Sequence, residues 1–281
     1  QRNQLVTTKN QLAGTVVEIA SKNKKITDSI RYAQTIQAAI LPNQELLISK
    51  LNEYFLIFEP KDIVSGDFYW FAEAKGEQGA ADKLFIAVVD CTGHGVPGAF
   101  MSMIGSRLLN EIVNEKNIHE TDAILEALHL GIREALHQEQ TDNTDGMDIC
   151  LCKIEKNNLG ADISFTGAKN PLYIHQEDKA DLFRIRGDKK TIGGNHYQHL
   201  SFTQTNINLR KGDTIYLTTD GFVDQNNKQR KKYSTKRLTL LLKEIQNDSL
   251  LEQKERLELE LNAWQGEEKQ RDDITIIGIK I

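Results

Sequence analysis

Four aspartates in this chain directly abut hydrophobic, strand-like runs. Asp67 precedes "FYWF", Asp90 follows "LFIAVV", Asp220 follows "IYLTT", and Asp272 opens "DDITIIGI". A carboxylate at a strand terminus is rigidly placed and still reaches water, and several converging there repel one another unless a cation sits between them. Hard divalent ions such as Mg²⁺ and Mn²⁺ take such oxygens octahedrally and keep several waters. Two such ions sharing a carboxylate acidify a water enough to attack near neutral pH, and they offset charge on a phosphoryl group during in-line displacement. The chemistry open to this set is direct hydrolysis with no phosphoenzyme. Taken singly, each aspartate also fits an ordinary turn at a strand end, and spacing alone does not establish convergence.

The segment "VVDCTGHGVPGAFMSMIG" is more specific, since a strand ends in Asp90 and a glycine-rich turn leads into a helix that Pro97 suits in its first turn. Gly93, Gly95 and Gly98 match G-x-G-x-x-G, the dinucleotide-binding pattern. That reading needs a parallel strand after one crossover helix and a ribose-binding acid about twenty residues on. Here the interval is helical, with Glu111 and Glu115 in it, and a second helix follows. A cysteine phosphatase is excluded, because its phosphate loop needs arginine six places after the nucleophile and Pro97 stands six after Cys91. No G-K-[ST] phosphate loop is present either.

The elements that must position these residues follow from hydrophobic period. Strand-like runs occupy 54–58, 67–74 and 83–90, and helical patterns follow over 97–114 and 121–138. Between 147 and 219 come "MDICLCKIE", "ADISFTGA", "PLYIH", "LFRIR" and "DTIYLTTD", separated by Asn, Gly and Asp turn chemistry. Helices near 234–246 and 250–264 precede a last strand at 274–281. This order predicts an α+β domain with helices covering largely antiparallel sheets. Upstream, Leu5, Leu12, Ile19, Ile26, Ala33 and Ile40 recur every seven residues, with Val16, Asn23 and Ile30 at the second seam position, until Pro42 ends the helix. A coiled coil is expected; the alternative is an amphipathic helix lying on its own domain. Residues 1–45 form the coiled-coil linker and 46–281 the domain. A start at Gln1 within a helical pattern suggests a piece of a longer polypeptide, with a sensor domain upstream.

Composition narrows the function. With a formal charge of -5 and mixed signs along the chain, nucleic-acid binding is not expected. No apolar run reaches the ~20 residues a membrane helix needs, so this stretch is expected to make no membrane contact. Three cysteines do not make a disulfide framework and fit a reducing, cytoplasmic setting. Cys150 and Cys152 read as core residues of a strand.

In order along the chain, "SGDFYW" at 65–70, "VVDCTGHGVPGAFMS" at 88–102, "TDG" at 219–221 and "RDDIT" at 271–275 resemble the PP2C-type metal-dependent phosphatases, specifically the bacterial SpoIIE-like branch. "DGMDICLCKI", "SFTGAKNPLY" and "TIGG" strengthen the resemblance, which covers residues 50–281. It implies a four-layer α/β/β/α sandwich of antiparallel sheets and a protein serine/threonine phosphatase using two Mn²⁺ or Mg²⁺ ions, with a third, weaker site open. Carried over by motif, Asp90 resembles the carboxylate bridging both metals, Asp220 and Asp272 ligands of one, and Asp67 an outer ligand acting through water. The backbone carbonyl of Cys91 stands where the family usually has a glycine carbonyl on the second metal. Asp273 resembles a residue that orients Asp272. His94 resembles a proton donor to the leaving oxygen, the alternative being a loop histidine contacting backbone. Asp145 and Asp148 resemble either third-site ligands or turn caps. The phosphate-binding arginine of the eukaryotic enzymes has no counterpart, so metals and partner protein would supply that affinity. The implied partner is a phosphorylated protein substrate, of the kind of a STAS-fold anti-sigma-factor antagonist, with homodimerisation through the N-terminal helix. A catalytically silent dimeric adaptor of the same fold is the rival, and retention of all four aspartates argues against it.

Overall fold

The computed structural model describes residues 2–42, 50–51, 53–76, 82–194 and 199–281. Strands β1 (Glu53–Glu59), β2 (Phe68–Ala74) and β3 (Lys83–Cys91) form where β-branched and aromatic residues cluster. Helix α2 (Gly95–Asn110) runs into a π-helical turn at Glu111–Glu115, and α3 (Thr121–Ala135) follows. Then come β4 (Gly146–Asn157), β5 (Gly160–Ala168), β6 (Leu172–His175), β7 (Leu182–Ile185), β8 (Ile192–Gly193), β9 (Thr205–Arg210) and β10 (Thr214–Thr218). A single turn, α4 (Gly221–Asp224), leads to α5 (Thr235–Ile245), α6 (Leu250–Gln265) and β11 (Ile274–Lys280).

One sheet has the order β1-β11-β10-β6-β7; the other has β2-β3-β4-β5-β9, with β8 added to β4. All the ladders are antiparallel. Period-two alternation sends one face of each sheet inward, so Ile86, Val88, Cys150, Cys152, Ile163 and Phe165 meet Leu172, Ile174, Ile215, Leu217 and Ile277 in a dry inter-sheet core. The outer face of the second sheet buries Phe68, Trp70, Phe85 and Val89 under α2 and α3. That of the first buries Ile57, Tyr216 and Ile276 under α5 and α6. The result is the expected four-layer α/β/β/α sandwich. Each fully buried Leu, Ile or Phe stabilises by about 1.5–3 kcal/mol, which gives the frame ample strength to hold a strained polar site at its end.

Helix α1 (Arg2–Ile40) stands apart. Leu12, Val16, Ile19 and Ile26 of its heptad seam are exposed, so among the described residues this part of the seam is left uncovered until the last turns. There Gln37 is buried, its amide donating to the Ser65 carbonyl (2.6 Å) and Ser102 Oγ (2.9 Å) and its oxygen accepting from Ser65 N–H (3.1 Å). Leu5's side chain and residues 43–49, which contain the boundary expected at 45/46, lie outside the described residues. Among the described residues no helix is long and apolar enough to cross a membrane.

Candidate active site

Antiparallel pairing sets the end of one strand beside the start of its neighbour, so β3 ends beside the start of β2, with Phe68 opposite Val89. Likewise β10 ends beside the start of β11, with Thr218 opposite Ile276. Both sheets therefore present Asp67, Asp90, Asp220 and Asp272 at the same end of the sandwich. An open cleft of about 210 Å³ there is lined by Asp90, Cys91, His94, Asp148, Lys169, Thr191, Asp220 and Asp272, among others. A larger, apolar cavity of about 310 Å³ lies at the opposite end, around Leu51 and Ile281, and carries no carboxylate.

The loop after Asp90 needs Gly93 (φ +83) and Gly95 (φ +63) for their left-handed backbone and Gly98 for close packing. A Cβ on Gly66 or Gly98 would strike the Gly93 carbonyl, and one on Gly98 would also sit 2.8 Å from Gly66 Cα. The G-x-G-x-x-G pattern thus wedges the start of α2 against the segment leading to Asp67, and a second helix follows α2 where a dinucleotide fold would have a strand.

Electrostatics in the cleft are those of carboxylates forced together. Burial and then the charges of Asp67, Asp220, Asp148 and Asp272 push Asp90 up to about 10. Asp220 is raised by burial, Asp224, Asp272 and Asp148, and a hydrogen bond from Asp90 pulls it part of the way back. Asp67 lies beneath the cleft and does not line it. Burial drives it well above the ordinary carboxylate range, against the hydroxyls of Thr219 (2.7 Å) and Thr275 (2.8 Å), which both donate to its Oδ2. Carboxylates whose proton affinity is raised by burial and by one another's charge fit a hard divalent cation, which would supply the missing positive charge. As they stand, no three His, Cys, Asp or Glu side chains among the described residues are drawn close enough to grip an ion. Asp148 is held by Thr191 Oγ1 (2.6 Å) and Lys169 Nζ (3.0 Å).

Neighbouring aspartates separate sharply. Asp272 faces the cleft, while Asp273 is buried and accepts the backbone N–H groups of Lys61 and Gly66, each at 2.7 Å. Asp145 caps its own turn, accepting from Asn143 Nδ2 at 2.8 Å. His94 contacts a side chain, with Nδ1 2.7 Å from Asp62 Oδ2, and not backbone as the alternative had it. The Cys91 thiol is pushed well up by burial and by the Asp90 charge, so it is no nucleophile. Cys150 and Cys152 are core residues. Lys169 and Thr191 lie in the family-like stretches "SFTGAKNPLY" and "TIGG", but their place in the site, like that of Asp62, is set by partners 21 to 43 residues away that local sequence does not reveal.

A family model described as Stage II sporulation protein E (SpoIIE) matches residues 80–281. The chain belongs to the SpoIIE family. It is a PP2C-type protein serine/threonine phosphatase domain, and its residues are similar over 93% of the chain to the SiaA-PP2C domain of Pseudomonas aeruginosa, at 33% identity, TM-score 0.80 and 99% of that chain. The PP2C phosphatase domain of SpoIIE from Bacillus subtilis, with a fragment of its regulatory domain, shares the fold at 18% identity and TM-score 0.61, over 81% of this chain and 62% of that one. So do the RsbU and RsbW domains of a Mycobacterium tuberculosis protein, at 19% identity and TM-score 0.61, over 81% and 59%. No curated protein matches by sequence. PP2C-type enzymes as a class depend on Mn²⁺ or Mg²⁺, and this SpoIIE-type domain carries a donor set suited to them.

Proposed function

We propose that this phosphatase hydrolyses phosphoserine or phosphothreonine on a regulatory protein, of the STAS-fold anti-sigma-antagonist kind, with Asp90, Asp220 and Asp272 as metal-holding carboxylates. The observation that carries this is the raised proton affinity of Asp90 in an open cleft: a carboxylate pushed to about 10 by burial and like charges calls for a cation. Asp90, Asp220, Asp272 and the Cys91 carbonyl would hold the ions, and Asp67 would support them from below. When bound, two such ions supply Lewis acidity for a water and offset phosphoryl charge. The chain's own residues do the positioning. Thr219 and Thr275 fix Asp67, and Asp273 ties Lys61 and Gly66 beside it. Asp62 holds His94 Nδ1, which leaves Nε2 to pass a proton to the departing seryl oxygen. Asp148 would border a third, weaker ion site.

Control through α1 belongs to the same reading. Gln37 grips Ser65, Gly66 is bonded to Asp273, and Asp273 adjoins Asp272, so the end of the helix is three contacts from the cleft. A homodimer zipped along the exposed seam, driven by an upstream sensor in a cytoplasmic protein, would set that grip. An engineered dimer in shifted heptad phase with unchanged turnover would sink this part. The catalytic part is tested by Mn²⁺-dependent phosphate release from a phosphoserine protein. The wild-type chain is expected to be active and Asp90→Asn inactive; equal, metal-independent rates refute it.

A further inference from the structure

Among its described lining residues the cleft has four carboxylates, Asp90, Asp148, Asp220 and Asp272, and a single ammonium, Lys169. We propose that Lys169 binds the phosphoryl group of the substrate. The assignment rests on the metal-centred reading above and extends it to how substrate is held.

Charge accounting gives the first argument. The four lining carboxylates, ionised, carry -4 and two divalent ions would return +4, so the lining apart from Lys169 balances at zero, and Asp67 beneath it adds no positive charge. A phosphate monoester arrives as a dianion near neutral pH, its second ionisation lying at about 6, and finds no net attraction in such a balance. Lys169 is the positive charge left over.

Placement gives the second. Lys169 adopts φ +55, the left-handed region that few non-glycine residues enter and that clusters where function requires it. Its turn is clamped: Lys169 N–H donates to the Asp188 carbonyl (2.8 Å), Asp188 N–H to Gly167 (2.8 Å) and Asn170 N–H to Ala168 (2.7 Å). The clamped backbone therefore fixes the point from which this side chain leaves the turn, at the edge of the cleft that it lines. The side chain itself is 53% exposed and pairs with Asp148, whose other oxygen is fixed by Thr191. An ion pair that open to water is worth little, so the ammonium can transfer to an incoming phosphate at small penalty, while Asp148 parks it at the cleft in the meantime. If Lys169 served only to neutralise Asp148, its loss would disturb the ions and not the phosphate.

That difference is measurable. Lys169→Met removes the charge at similar length, and Lys169→Arg keeps it; the position is open enough for both to fold. The probes are para-nitrophenyl phosphate as a small monoester, inorganic phosphate as product inhibitor, and Mn²⁺ as activator. Losing a charge-assisted hydrogen bond predicts that Lys169→Met raises KM and the phosphate inhibition constant by about tenfold or more. The Mn²⁺ concentration for half-activation stays unchanged, and the rise in unfolding temperature that phosphate gives the Mg²⁺-loaded protein disappears. Lys169→Arg retains all of these. The proposal is overturned if Lys169→Met shifts half-activation by Mn²⁺ and leaves phosphate inhibition alone, or if Lys169→Arg loses phosphate affinity as fully as Lys169→Met. Asp90→Asn run alongside separates the failures: full metal-independent activity there removes the metal-centred reading and this assignment with it. An inactive Asp90→Asn beside an unaffected Lys169→Met removes only the role of Lys169.

Discussion

Two adjacent aspartates with the same chemistry should give opposite phenotypes when neutralised. Asp273 accepts two backbone N–H groups at 2.7 Å in a site 3% exposed, so both bonds are charge-assisted and shielded. Asn in its place keeps one acceptor and turns an NH₂ group toward the second N–H, losing one bond and leaving a buried donor without a partner. At the 1–3 kcal/mol such an orphan costs, with the lost bond added, the expected destabilisation is about 2–3 kcal/mol. For a domain of this size that lowers Tm by roughly 5–10 °C. Asp272 has no such structural duty. Among the described residues its carboxylate accepts only its neighbour's N–H, at 3.0 Å, and its charge raises Asp90, Asp67 and Asp220. Neutralising it relieves repulsion in the metal-free protein, so Asp272→Asn should melt at the same temperature or slightly higher. Its cost is functional: loss of one metal-holding carboxylate removes several kcal/mol of charge stabilisation, about 100-fold or more in Mn²⁺-dependent rate. Thermal unfolding by circular dichroism in EDTA, paired with phosphate release in Mn²⁺, reads both effects. An Asp272→Asn protein that melts as low as Asp273→Asn, or an Asp273→Asn protein as stable as the parent, would refute the division of labour.

Three further outcomes follow from the same geometry. Because Asp90 is raised from 3.8 to about 10 when folded, the metal-free folded state keeps a proton that the unfolded chain gives up between those values. The native form binds more protons there, so its stability falls as pH rises through that window, and Tm in EDTA should drop from pH 5 to pH 8.5 while saturating Mg²⁺ flattens the trend. Gln37→Ala strands the Ser65 N–H and leaves its carbonyl to the long Ser102 Oγ contact (3.5 Å), about 2 kcal/mol of local stability; faster amide exchange over 33–40 and reduced turnover, at normal far-ultraviolet dichroism, are expected. Val16→Glu with Ile19→Glu places charge in the exposed seam; if the proposed homodimer forms along it, sedimentation should report dimer for the parent chain and monomer for this variant.

Local periodicity made most of the frame legible. The long helix, the helices beginning at Thr121 and Leu250, and the strands ending at Asp90 and opening after Asp273 announce themselves by repeat and by flanking turn residues. Strands β8 and β9 did not: the first is two residues long, and the second, "TNINLR", alternates but carries just two apolar residues, Ile207 and Leu209, among polar ones. Helix α2 was expected to reach Asn114 and does so in register, except that its last turn widens to a π form. In the site, the carboxylates could be read because each touches a hydrophobic run. Gln37, Asp62 and Lys169 could not, since each acts through a partner brought near only by the sandwich.

The buried thiols carry a consequence for oxidative stress. Phosphatases that attack phosphate with sulfur need a thiolate, and the thiolate that makes them fast also makes them the first casualties of peroxide. Here all three cysteines are buried, and Cys91 and Cys150 are held as neutral thiols by burial. Peroxide meets no accessible sulfur anion, even at Cys91, which borders the cleft with its thiol buried. A signalling circuit built on this enzyme can go on removing phosphate under conditions that silence its sulfur-dependent counterparts.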